Sequence, residues 1–163
     1  MRGYLERLFC SEELARVGWN RPVAQVNHTF TARKGTVRGM HFQYPPYGEM
    51  KLVWCLRGRI FDVAVDLRAG SSTFLQWHGE ELSEDNDRGL LVPEGFAHGF
   101  QTLTDDAEIL YFNSRPYHPA SEAGVHPNDP KTAIRWPIPI SAMSARDSVH
   151  PWIEDGFKGI QGG

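Results

Sequence analysis

Cysteine is scarce in this chain: Cys10 and Cys55 are the only two. Without a paired metal-ligand spacing around either, they make neither a disulfide framework nor a structural zinc module. They read instead as reduced thiols in a cytoplasmic protein. An excess of one charge is missing as well. Seventeen Lys and Arg against twenty Asp and Glu leave a net charge of −3, which marks no general surface for nucleic acid or membrane. No apolar run reaches the length a bilayer requires, and no signal peptide precedes Arg2. Neither nucleic acid nor a membrane is therefore expected as a partner. Internal repeats and low-complexity linkers are also absent, so a single domain over residues 1–163 is expected, large enough for a real core.

What the chain does have is punctuation. Sixteen glycines and eleven prolines separate short alternating runs, the pattern of an antiparallel β protein with many turns. Ser11 reads as the N-cap of a short helix whose stripe of Leu14, Ala15 and Val17 stops at Gly18. Strands are expected at Val23–Phe30, Val37–Gln43, the run from Lys51, Ile60–Asp66, Thr73–Leu82, Gly89–Val92, Phe96–Phe100 and Ala107–Asn113. Arg57-Gly58-Arg59 forms a tight turn between two of them. Beyond Pro116 the prolines rule out a long regular element, a final helical turn opens at Ser144–Asp147, and Gly156–Gly163 reads as a frayed end. The sum is an all-β double-sheet jelly roll with a short N-terminal helix and a short C-terminal helical turn.

Side-chain alternation puts His41 and Gln43 on one face, Lys51, Val53 and Cys55 on one face, and Ile109 and Tyr111 on one face. His41, Lys51, His98 and Tyr111 would then line one barrel. Histidine is suited to remove a proton near neutral pH, lysine to hold an oxyanion, and tyrosine to return a proton from another direction. That set fits proton abstraction beside a carbonyl, an epimerisation or isomerisation that needs no cofactor. Taken singly, each residue also has a structural reading: a core-satisfied His41, a snorkelling Lys51, a backbone-bonded Tyr111, a loop-anchoring His98, a helix-start Asp147. A metal-binding cupin competes, because Pro93-x-Gly95-x-x-His98 resembles a cupin motif and His41, Gln43 and Glu49 lie where other ligands would. Gln43, however, is a poor ligand at the position where a second histidine is usual. A non-catalytic binding module is the remaining alternative.

The runs VRGMHFQ, EMKLV, LRGRIFDVAVDLR, SSTF, VPEGFAHGF, the Glu108–Tyr111 strand and SARD, in that order along most of the chain, strongly resemble the dTDP-4-dehydrorhamnose 3,5-epimerase family. The resemblance implies a cupin-type fold, no cofactor and no metal, a nucleotide-diphospho-4-keto sugar as substrate, and a homodimer. It implies that His41 is the base oriented by Asp147, Tyr111 the acid and Lys51 the cation that stabilises the enolate. It further implies that Arg2 and Arg38 bind the diphosphate or nucleoside, and that Gln25, Asn27, His98, Glu122 and Arg146 line the substrate site. Strict alternation sends Arg38 to the face opposite His41, so a bulge or kink is expected at Gly39. Three departures stand out. Met1-Arg2-Gly3 opens inside what resembles the family's Arg-Gly segment, leaving edge pairing of the dimer in question. Arg7 stands where many members carry a glutamate in the nucleotide site. Trp54 and Phe112 stand where relatives often have arginine and lysine.

Overall fold

The spacing of turn residues and alternating runs yields, among the described residues, nine short strands. The computed structural model describes residues 2–162. Helix α1 (Ser11–Ala15) is followed by β1 (Gln25–Thr31), β2 (Val37–Gln43), β3 (Lys51–Arg57), β4 (Arg59–Asp66) and β5 (Trp77–Ser83). Then come β6 (Gly89–Val92), β7 (Phe96–Thr102), β8 (Ala107–Asn113), β9 (Glu122–Gly124) and a 3-10 turn at Asp147–Val149. The strands pair antiparallel into two sheets, ordered β1-β8-β3-β6 and β5-β4-β7-β2-β9. This is the double-sheet jelly roll expected from the sequence.

Alternation sorts the side chains into three apolar layers. Between the sheets, Val53, Cys55, Ile60, Ala64, Phe100 and Ile109 form a buried cluster. On the outer face of the five-stranded sheet, Met40, Phe42, Val63 and Val65 pack under Trp136, Ile153 and Ile160 of the C-terminal segment. On the outer face of the four-stranded sheet, Leu52 packs with Trp19 and Met50, and Phe9, Leu14, Trp54 and Phe112 close over them. Trp54 and Phe112 therefore serve outward packing, on the face opposite Lys51 and Tyr111. At about 25 cal/mol per Å² of buried apolar surface, such layers supply the main favourable term of folding.

Four expectations are corrected. Ser11 is the first helical residue and Cys10 occupies the cap position with no side-chain bond, so α1 is one short turn and a half, held by Leu14 rather than by a cap. The run from Thr73 does not start as strand. The Asp66 carboxylate accepts hydrogen bonds from the Ser71 and Thr73 hydroxyls, both at 2.6 Å, which fixes a turn and delays β5 to Trp77. A three-residue strand, β9, forms in the proline-rich region, paired with His41–Gln43 of β2. The tail is not frayed at Ile160, which is buried and bridges to the main chain on either side of Arg68; Gly163 lies outside the described residues. No helix among the described residues is long and apolar enough to cross a membrane. Both cysteines are free thiols.

Candidate active site

One end of the space between the sheets is filled by the apolar cluster. The other end is open, a cavity of about 630 Å³ whose walls carry many polar side chains. The five-stranded sheet contributes Arg38, His41 and His98; the four-stranded sheet contributes Lys51 and Tyr111, with Gln25 and Asn27 from β1. Arg38 and His41 share this cavity because β2 is bulged between them. Arg38 pairs with Phe100 and His41 with His98, three steps along β2 against two along β7. The bulge centres on Gly39, which has φ +130°, and a Cβ there would lie 2.5 Å from the Gly99 Cα, so only glycine fits. The kink expected from the resemblance together with strict alternation is present at Gly39.

His41 and Asp147 form a tight pair. The His41 Nε2–H donates to Asp147 Oδ1 at 2.8 Å, and the Gly39 N–H donates to Asp147 Oδ2 at 3.3 Å. Because the ionised carboxylate can only accept, Nε2 carries a proton, and in the neutral tautomer the lone pair is on Nδ1. Burial alone would push the Asp147 carboxyl up. The hydrogen bond and charge of His41, with the Gly39 N–H and the Ser144 hydroxyl, overcome it and hold the pKa near 2. Asp147 is thus a fixed anion at neutral pH. Behind the pair lies His150, its ring 5.3 Å from that of His41 and edge-on to it. Burial, helped by the charge on His41, holds the His150 imidazole below its ordinary pKa against the pull of Asp147.

Across the cavity, Lys51 Nζ lies 3.0 Å from Glu49 Oε1, and both side chains are nearly enclosed. Glu49 Oε2 also accepts from Gln43 Nε2 at 2.7 Å. Burial pushes the Tyr111 phenol above its ordinary pKa, Arg38 opposing and Glu49 adding to the rise, so it stays protonated and able to donate. Arg38 Nε donates to Thr31 Oγ1 at 3.0 Å, which aims the guanidinium along the wall. Gln25 donates to Asn27 at 3.0 Å, Arg146 donates to both Glu122 oxygens at 3.0 and 3.1 Å, and Tyr117 donates to Glu122 at 2.7 Å. His98 Nε2 donates to the fully buried Asp62 at 2.8 Å.

Of the residues singled out from the sequence, His41, Lys51, Tyr111, Asp147, Gln25, Asn27, Arg38, His98, Glu122 and Arg146 all border this one cavity. Arg2 does not: it lies in an N-terminal stretch, residues 2–7, that is exposed throughout, so nothing directs it inward. Arg7 is likewise exposed and pairs with Glu13 at 2.7 Å. Sequence reasoning missed Tyr117, Asp62 and His150 as neighbours, and missed Glu49 as the partner of Lys51. The available signal for Glu49 was its position two residues before Lys51, on the same side of an extended chain. The cupin-type ligand set is not assembled, since Gln43 is spent on Glu49 and His98 on Asp62. Among the described residues, the side chains that converge closely enough to share a metal ion are His41, Asp147 and His150.

Comparison with known proteins places this geometry among relatives. The family model described as dTDP-4-dehydrorhamnose 3,5-epimerase matches residues 1–155. The dTDP-4-dehydrorhamnose 3,5-epimerase of Sinorhizobium fredii is 42% identical over 151 residues, covering 92% of this chain and 77% of that protein. The dTDP-4-dehydrorhamnose 3-epimerase of Streptomyces niveus is 46% identical over 125 residues, covering 77% of this chain and 60% of that protein. The crystal structure of dTDP-4-dehydrorhamnose 3,5-epimerase from Bacillus anthracis, with TDP and PPi bound, superposes with a TM-score of 0.90 at 40% identity, covering 93% of this chain and 87% of that one.

Proposed function

The chain belongs to the dTDP-4-dehydrorhamnose 3,5-epimerase family, a family of isomerases, and from that premise we propose that it inverts C3, C5 or both centres of a dTDP-linked 4-keto-6-deoxyhexose. Both carbons flank the C4 ketone, so their protons are acidic for the same reason. His41 Nδ1 takes the proton, and the C–H electron pair moves into the ring C–C bond as the carbonyl electrons move onto oxygen. The Lys51 ammonium meets that enolate oxygen. Tyr111 O–H then delivers a proton to the opposite face of the carbon, leaving a tyrosinate and a His41 imidazolium that exchange with solvent to reset. Asp147 holds the His41 tautomer and stabilises the imidazolium as it forms. Arg38 serves the diphosphate, while Gln25, Asn27, His98, Glu122 and Arg146 position the nucleotide sugar.

One observation carries this reading: His41 on one sheet, paired with Asp147 of the C-terminal turn, and Lys51 with Tyr111 on the other sheet border a single cavity of about 630 Å³. A base and an acid on opposed walls are what inversion at carbon requires, and the volume is in the range of small-molecule sites. Relatives named as 3,5-epimerase and as 3-epimerase match the chain comparably, so the number of centres is to be read by experiment. A panel of 4-keto sugar nucleotides in deuterated water, followed by NMR, reports exchange at C3 and C5 separately. Wild type is expected to incorporate deuterium, and His41→Ala to incorporate none while remaining folded. Retained exchange in that variant would remove His41 from the base role. No exchange with any such substrate would make the protein a binder rather than an enzyme.

A further inference from the structure

We propose that His41, Asp147 and His150 form a binding site for a divalent transition-metal ion of the zinc type, and that filling it switches off the base. One ring nitrogen of His41, one of His150 and an Asp147 oxygen all lie within 4.8 Å of one another. Asp147 Oδ1 is 2.8 Å from His41 Nε2 and 3.6 Å from His150 Nε2. Zinc bound at about 2.0–2.1 Å to three such ligands spaces them by roughly 3.3 Å, so modest side-chain adjustment closes the set. Two imidazoles and a carboxylate suit this class of ion, and the cavity supplies the fourth position for water.

His150 is the unexplained member. Its side chain is 12% exposed, and its Nε2 is buried with no hydrogen-bond partner, since 3.6 Å to Asp147 is too long for a bond. The ring lies where a Cβ on Gly124 would come within 2.4 Å of its Cε1, and Gly124 is the β9 residue paired with His41. The Gly39 N–H meanwhile occupies Asp147 Oδ2, leaving Oδ1 as the metal-facing oxygen, the kind of outer support that metal ligands use. One group opposes the ion. The Arg146 guanidinium lies 3.3 Å from His41 Nε2 and 3.7 Å from Asp147 Oδ1. It is half-exposed and tied to Glu122, so it and the metal alternate at the same place.

The chemical consequence is a tautomer change. Coordination uses the His41 Nε2 lone pair, so the ring's single proton moves to Nδ1, the atom that would otherwise accept the substrate proton. The loss of activity rests on the reading of His41 as base; the binding does not. The test uses the full chain, freed of metal by chelator and titrated with zinc by calorimetry and with cobalt(II) by visible absorption. One equivalent per chain is expected, with cobalt bands of a four-coordinate nitrogen–oxygen site. In wild type the ring resonances of His41 and His150 should shift together on zinc addition, a measurement independent of any variant. His150→Gln should weaken zinc binding more than about 100-fold, beyond what losing an outer-shell group costs, and Arg146→Met should tighten it. Deuterium exchange should stop at one equivalent of zinc and return with chelator. Absence of stoichiometric binding, or equal affinity in His150→Gln, overturns the site. Binding that depends on His150 but leaves exchange untouched overturns the switch, while the base role of His41 stands or falls separately on exchange in His41→Ala.

Discussion

Replacing Asp147 by asparagine should damage the protein more than replacing it by alanine. The Gly39 N–H lies 3.3 Å from one Asp147 oxygen and must be accepted by whatever oxygen remains. In the asparagine variant that requirement turns the amide nitrogen toward His41, where it donates into Nε2. The His41 proton is then driven to Nδ1, and the basic atom disappears from the substrate side. In the alanine variant no amide is held against Nε2; the Arg146 guanidinium, 3.3 Å away and tied to Glu122, is the weaker donor there, so the active tautomer stays accessible while the charge-assisted hydrogen bond is lost. For a pair this enclosed (the Asp147 side chain is 3% exposed), a bond to a charged group contributes about 1.5–3 kcal/mol. That corresponds to a loss of about 10- to 150-fold for Asp147→Ala, at about 1.4 kcal/mol per factor of ten. Removing the base function altogether costs about 10²- to 10⁴-fold, the range expected for Asp147→Asn. The assay is the initial rate of deuterium incorporation beside the ketone at saturating substrate, with melting curves to establish that both variants are folded. If Asp147→Asn stays within tenfold of wild type, or is faster than Asp147→Ala, the tautomer reasoning is wrong.

Acid stability should carry the same residue's signature. The Asp147 pKa is lowered from 3.8 to about 2, so its ionised form stabilises the folded chain above the unfolded value, and that contribution fades as pH falls from about 4 through 2. Chemical denaturation at stepped pH should reveal this loss in wild type and a flatter acid limb in Asp147→Asn; parallel limbs would count against it. Tyr111→Phe should slow net epimerisation more than exchange at the deprotonated carbon, because only the return of the proton is removed; equal losses in the two NMR readouts would take Tyr111 out of the acid role. Lys51→Met should lower the rate by about 10²- to 10³-fold through loss of the enolate's cation. It should also cost about 3 kcal/mol of stability by stranding the enclosed Glu49 carboxylate. Adding Glu49→Gln should restore the melting temperature and leave the rate low, and recovery of both would mean that Lys51 acts only by pairing with Glu49.

How much of this was legible in the sequence depends on how far apart the partners lie along the chain. The faces of β2, β3 and β8 follow from period-two alternation, which is why His41, Lys51 and Tyr111 were expected to point inward and do. Even the β2 bulge was legible once the family resemblance put Arg38 and His41 in one site, because residues three apart cannot share a strand face without an extra residue. What alternation could not supply is the neighbour across space. Asp147 lies 106 residues beyond His41, in a stretch broken by prolines and carrying no strand period, so only the family resemblance joined the two. It is brought there by packing remote from the site: Trp136, Ile153 and Ile160 seat the C-terminal segment on the outer face of the five-stranded sheet, and the turn at Asp147–Val149 is held between those anchors. The same wrapping explains the errors. Ile160 reads as part of a glycine-rich end until Leu67 and Ala69 offer it main-chain partners, and β9 is too short to have a period at all. His150 escaped notice for a related reason: its place depends on the missing side chain of Gly124, a residue of that same short strand. A site assembled this way has its base set by local pattern and its orienting carboxylate by tertiary closure. Loosening the C-terminal wrap, as Ile160→Ala or Trp136→Ala would, should therefore slow exchange while leaving the cavity's other wall in place.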